Sequence, residues 1–190
     1  MADQDPSSES FHLPGGRHLG ASPTDPFAAP PEDRRPDRRF RGRLVAPVTV
    51  WTAGSEDRRA GLTVSSLLIA EGDPAVVLGL LDPLSDLFDL VVERGSFVVH
   101  VLEAGEQRIA GMFAGAYPVD PFEEVETVDG EFGPVVAGTR HILGCRLGGS
   151  EEIGFQMLVR GRAALIEIED DSGLPLVRYR GRYRKLAPEA

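Results

Sequence analysis

Cysteine and lysine are almost absent from this 190-residue chain, and each scarcity removes a class of chemistry. Cys145 stands alone, so neither an intrachain disulfide nor a cysteine-built zinc site can form. Of the 20 lysines and arginines, only Lys185 is a lysine. Schiff-base chemistry therefore has one candidate, close to the C-terminus, and carbonyl chemistry through a lysine is disfavoured. The four histidines are His12, His18, His100 and His141, and the first two lie in an irregular stretch, too few for a histidine metal cluster. No apolar run approaches the roughly 20 residues of a bilayer span, and the acidic, polar N-terminus lacks the apolar core of a secretory signal. No membrane association and a cytoplasmic location are the expectations. A formal net charge of -10 argues against nucleic acid as a partner, although a few local donors can still hold a small anion.

The motifs of the common nucleotide and hydrolase folds are missing too. The chain has no G-x-G-x-x-G opening a helix after a strand, no P-loop and no G-x-S-x-G elbow. No catalytic residue is assigned by a local signature, and no metal ligand set is evident.

What is present divides the chain in two. Residues 1–38 are rich in Pro, Gly, Ser, Asp and Arg without sustained periodicity, and read as a disordered N-terminal arm. Residues 39–190 carry the folded domain. "LVAPVTVWTA" is a β-branched strand closed by Gly54, Ser55, Glu56 and Asp57; "AGLTVSSLL" and "PAVVLGLL" follow as strands. Leu84, Leu87, Phe88 and Val91 fall at helical spacing before Gly95, and "SFVVHVLEA" returns to strand. "GEQRIAGMFAG" reads as a short amphipathic helix with Ile109, Met112 and Phe113 on one side. Strand-like runs near 134–147, 152–168 and 174–185 complete the chain. Strands at hairpin spacing with two short inserted helices predict a mostly β (α+β) antiparallel barrel.

Two segments have the chemistry of a ligand site. In "GLTVSS" a glycine admits close backbone approach, and Thr63, Ser65 and Ser66 offer hydroxyls beside amides. The same residues can equally satisfy their own strand end. In "LLDPLSDL", Ser85 opens the predicted helix, a position that attracts phosphate but is also an ordinary cap.

In order and spacing, these segments resemble the flavin reductase-like, FMN-binding split-barrel proteins. The match runs from "PVTVWTAGSEDRRAGLTVSSLL" through "DPLS", "FVVHVL" and "QRIAGMFAG" to "PLVRYRGRYRKL", about residues 43 to 186. The resemblance implies a split β-barrel and a homodimer with FMN, or FAD, near the subunit interface. It further implies hydride transfer from NAD(P)H to that flavin and a monooxygenase partner that consumes the product. Carried over residue by residue, Thr63, Val64, Ser65 and Ser66 would contact the isoalloxazine and ribityl chain. Leu80, Leu81 and Ser85 would follow the flavin toward its phosphate, and Phe113 would either border it or pack its own helix. Trp51 is read as a core residue.

Two departures mark this chain. His100 stands where the family's strand often has Asn, and is read as a structural hydrogen-bonding residue. Gly154-Phe155-Gln156 aligns with a family Gly-Asp-His run whose histidine is associated with nicotinamide and flavin; His141 replaces it only if geometry allows. The alternatives are a non-enzymatic flavin-binding protein, a split-barrel oxidoreductase using another donor such as a deazaflavin, and a cofactor-free barrel.

Overall fold

The computed structural model describes residues 36–169 and 173–186. Most of the expected arm, residues 1–35, lies outside the described residues. Its last three open α1 (Pro36–Arg41), a helix that buries nothing and follows Pro at its first position.

Seven strands form one antiparallel sheet: β2 (Thr49–Ser55), β3 (Arg58–Val64), β4 (Leu67–Ala70), β5 (Val76–Leu81), β6 (Ser96–Val101), β9 (His141–Ile153) and β10 (Gln156–Glu167). Their order is β3-β2-β6-β9-β10-β5-β4. The two edge strands, β3 and β4, are consecutive in sequence and joined only by Ser65 and Ser66. So short a link forces the sheet to curl until its edges approach, which makes an antiparallel half-barrel. The expectation of a split antiparallel barrel holds.

Smaller elements close the ends. β1 (Ala46–Pro47) pairs with β11 (Leu176–Tyr179), which pairs with β12 (Arg182–Lys185); β7 (Thr127–Gly130) and β8 (Gly133–Val136) form a hairpin. The helices are α2 (Asp86–Arg94), α3 (Gln107–Phe113) and the single turn α4 (Pro121–Glu124). All three apparently continuous strand runs are therefore broken, 152–168 by the Gly154–Phe155 turn between β9 and β10. Residues 134–147 contain a turn between β8 and β9. Residues 174–185 contain a two-residue hairpin in which Arg180 and Gly181 have φ of 51° and 76°, the twist that suits a tight β-turn.

The helix at 84–94 also differs from its periodicity. Leu84 is 84 % exposed and precedes the helix. Asp82 folds the chain there: its carboxylate accepts from Leu84 N–H and its carbonyl from Ser85 N–H. Ser85 Oγ then caps α2 by accepting from Phe88 N–H, so the buried face is Leu87, Leu90 and Val91, with Phe88 half-buried.

The barrel is filled by an aromatic pair. Trp51 and Phe97 stack with centroids 4.8 Å apart at 11°. Room for them comes from glycines on the facing strands: a Cβ on Gly79 would lie 2.3 Å from the Trp51 ring, and one on Gly161 2.4 Å from Phe97. A second cluster, with Val48, Val50, Leu102, Met112 and Phe113, packs α3 beneath the barrel.

Candidate functional site

The seam between β3 and β4 is where the curled wall is interrupted, and two sequence-distant segments meet on it. Leu80 N–H donates to Ser66 O at 3.1 Å, tying the end of β5 to the linking residues. The β5–β10 ladder runs to Leu81 opposite Met157, so Gln156 and the Gly154–Phe155 turn lie beside the Asp82–Ser85 turn. "GLTVSS", "LLDPLS" and "GFQ" thus occupy one end of the sheet.

Individual placements follow from alternation along the strands. Val64 points into the core, as does Leu81, and each faces the seam only with its backbone. Thr63 lies on the other face, half-buried, with Oγ1 donating to Ala110 O at 2.7 Å. Ser65, Ser66 and Leu80 are half-buried at the seam, and Ser66 Oγ donates to Leu80 O at 3.2 Å. Phe113 is 2 % exposed; its ring fills the space above Gly61 and meets Phe122 edge-on at 5.2 Å. It packs its helix. Trp51 lies wholly in the core, its indole N–H donating to Thr49 Oγ1, which in turn donates to Val64 O.

Ser85 is buried and its proton is committed, donating to Asp82 O at 2.7 Å while its oxygen accepts from Phe88 N–H. The first turn of α2 also carries Asp86 and Asp89, whose carboxylates already complement the helix dipole. This end of the seam shapes a turn more than it supplies free donors. Among the described residues no group of three His, Cys, Asp or Glu side chains can hold a metal ion. No helix there is long and apolar enough to cross a membrane.

The flavin reductase like domain model matches residues 41–187. The chain belongs to that family. It is 28 % identical over 157 residues to an NADH-dependent FMN reductase of Streptomyces nodosus subsp. asukaensis, covering 78 % of this chain and 83 % of the relative. It is 26 % identical over 144 residues to the reductase component of 4-hydroxyphenylacetate 3-monooxygenase from Thermus thermophilus, covering 76 % and 91 %. Among solved structures, the NADH:FAD oxidoreductase of Streptomyces globisporus, in complex with NAD and FAD fragments, superimposes with a TM-score of 0.75. Identity is 29 %, over 86 % of this chain and 98 % of that one.

Within this flavin reductase-like barrel the two histidines have separate fates. His100 is completely buried: Nδ1 meets Val50 O at 3.0 Å and Nε2 accepts Val136 N–H at 3.1 Å. A carbonyl cannot donate, so Nδ1 carries the hydrogen, Nε2 is bare and the ring is neutral. Burial pushes its pKa down to about 4, against the hydrogen bond to Val50, which raises it. His100 therefore fastens the β7–β8 hairpin to the barrel wall. His141 opens β9, whereas Gln156 pairs with Ile153, the last residue of β9. The ladder therefore holds them at opposite ends of β9, twelve strand positions apart along the strand, and His141 does not stand in at the Gln156 position. Its Nε2 lies 3.6 Å from Glu103 Oε1 instead.

Cys145 is equally remote from chemistry. It is buried, and desolvation pushes its thiol up to about 12.

Residues without a motif complete the seam's frame. Tyr183 OH donates to Ala110 O at 3.2 Å, the same carbonyl that Thr63 uses. Nothing in local sequence pattern links residues so far apart. The only signal is the closing "PLVRYRGRYRKL" run, which contains Tyr183.

Proposed function

We propose that the chain is a flavin reductase that takes hydride from NADH or NADPH to FMN or FAD held at the barrel seam, and that a monooxygenase consumes the reduced flavin. The observation that carries this reading is the meeting of Thr63–Ser66 with Leu80–Ser85 at the barrel seam, with Gly154–Gln156 beside the latter. The seam fits a planar, polar-edged ring: half-buried hydroxyls and backbone on one side, apolar side chains behind them.

Thr63, Val64, Ser65 and Ser66 would border the ring and ribityl chain, with Leu80 and Leu81 beneath. Ser85 would hold the turn that leads to the phosphate end, and Phe113 would keep α3 rigid behind Gly61. A bound flavin supplies the hydride acceptor. The protein contributes alignment and exclusion of water, so no nucleophile or acid–base pair is demanded of it.

Anaerobic addition of NADH to the full-length protein with FMN is expected to bleach the visible flavin absorbance. Ser65→Ala combined with Ser66→Ala is expected to weaken flavin binding about ten-fold, the worth of one or two hydrogen bonds. A protein that neither gains thermal stability with FMN nor oxidises nicotinamide would falsify the assignment.

The same reading includes a homodimer. β4 is an edge strand with Leu68 70 % and Ile69 56 % exposed, and Leu165, Ile166 and Ile168 are exposed at the far end of β10. An uncovered apolar edge invites a second copy of the chain. Sedimentation at micromolar concentration is expected to give twice the chain mass, shifting toward monomer for Leu68→Glu with Ile69→Lys; a wild-type monomer would rule the dimer out. A cytoplasmic setting, where reduced nicotinamide is available, belongs to this proposal as well.

A further inference from the structure

The hydroxyls at the seam are not chemically alike. A carbonyl oxygen can only accept, so a hydroxyl bonded to one has committed its single proton. Thr63 Oγ1 donates to Ala110 O, Ser66 Oγ to Leu80 O, and Ser85 Oγ to Asp82 O. Each retains lone pairs and nothing to donate. Ser65 alone has a hydroxyl that engages no partner among the described residues.

The Thr63 arrangement is built from three elements. Ala110 O receives Ala114 N–H at 3.0 Å from its own helix, Tyr183 OH at 3.2 Å from the C-terminal hairpin, and Thr63 Oγ1 at 2.7 Å. The carbonyl is held in place from two other directions. Thr63 therefore meets it in one orientation, with the oxygen lone pairs turned away from Ala110.

We propose that the seam reads its ligand with divided polarity: Thr63 and Ser66 accept hydrogen bonds from the ligand, and Ser65 is the one side chain that donates. This rests on the flavin reading above and narrows it. The edge facing Thr63 and Ser66 must carry N–H or O–H groups. On an oxidised flavin those are the ring N3–H and the ribityl hydroxyls. The ring carbonyls and N5 are acceptors, and fall to Ser65 and to backbone amides.

The test is a binding titration of the full-length protein with FMN, N3-methyl-FMN and a 2′-deoxyribityl FMN. Wild type is compared with Thr63→Val, Ser66→Ala and Ser65→Ala. Thr63→Val leaves Ala110 O with two donors, so no buried carbonyl is orphaned and the fold is retained. At least one analogue is expected to bind wild type about ten-fold more weakly than FMN, the loss of one hydrogen bond. That penalty disappears in Thr63→Val if the ring N–H is read there, or in Ser66→Ala if a ribityl hydroxyl is. Ser65→Ala weakens all three flavins by the same factor. Analogues that bind wild type as tightly as FMN, or penalties that survive both substitutions, overturn the divided polarity. If all three variants keep wild-type affinity for FMN itself, the seam is not the flavin site and the proposal falls with it.

Discussion

Gly79→Ala is expected to destabilise the barrel by about 3 kcal/mol, near the upper end of ordinary overpacking costs. The added carbon would sit 2.3 and 2.6 Å from two atoms of the Trp51 ring, well inside contact distance. Trp51 has nowhere to retreat. Phe97 stacks on its face at 4.8 Å, its indole N–H is engaged by Thr49, and its side chain is entirely buried. Because β5 also carries Leu80 and Leu81 to the seam, any displacement of the strand is expected to loosen flavin binding as well. Urea unfolding reads the effect as a lowered midpoint at constant slope. Trp51→Phe in the same chain removes the ring atoms that clash and is expected to recover part of the loss. An unchanged midpoint for Gly79→Ala would mean that the stack does not set the barrel's interior.

The sequence made the strands legible because most are β-branched and bounded by turn residues, and the helices legible because Gly95 and Ser85 punctuate one of them. It could not show the closure. That the edge strands β3 and β4 are consecutive depends on pairings such as Met157 with Leu81, which join residues distant in the chain. Nor could Gly79 and Gly161 be distinguished from turn glycines, since their function is to be empty opposite two rings. Leu84 differs for the opposite reason: its spacing fits the helical stripe, but the Asp82 turn ends just after it and the Ser85 cap starts the helix at Asp86, two residues past it. At the site, residue types pointed to a polar loop at "GLTVSS". Which hydroxyls donate and which accept is fixed by Ala110, Leu80 and Asp82 carbonyls that no local pattern specifies.

His100 supplies the second large effect, and its sign follows from where the proton goes. The folded ring is neutral with a pKa pushed down to about 4, whereas an unfolded chain has the ordinary value of 6.5. Above pH 6.5 both states are neutral and the histidine contributes its full stability. Between pH 6.5 and 4 only the unfolded state binds the proton, so stability falls with pH, by about 3 kcal/mol across the window. Below pH 4 the group adds no further slope. The loss has a structural site, because a protonated Nε2 can no longer accept Val136 N–H and the β7–β8 hairpin is released. His100→Leu is expected to lose about 3 kcal/mol at pH 8, since it strands that amide and the Val50 carbonyl bond in the core. His100→Asn has a donor and an acceptor but no titrating ring, so its stability at pH 8 should fall less than that of the leucine variant. Its stability between pH 6.5 and 4 should be flatter than wild type by the same few kcal/mol. Urea unfolding followed from pH 8 to pH 4 distinguishes the three proteins. A wild-type slope that persists undiminished in His100→Asn would place the acid sensitivity elsewhere in the barrel.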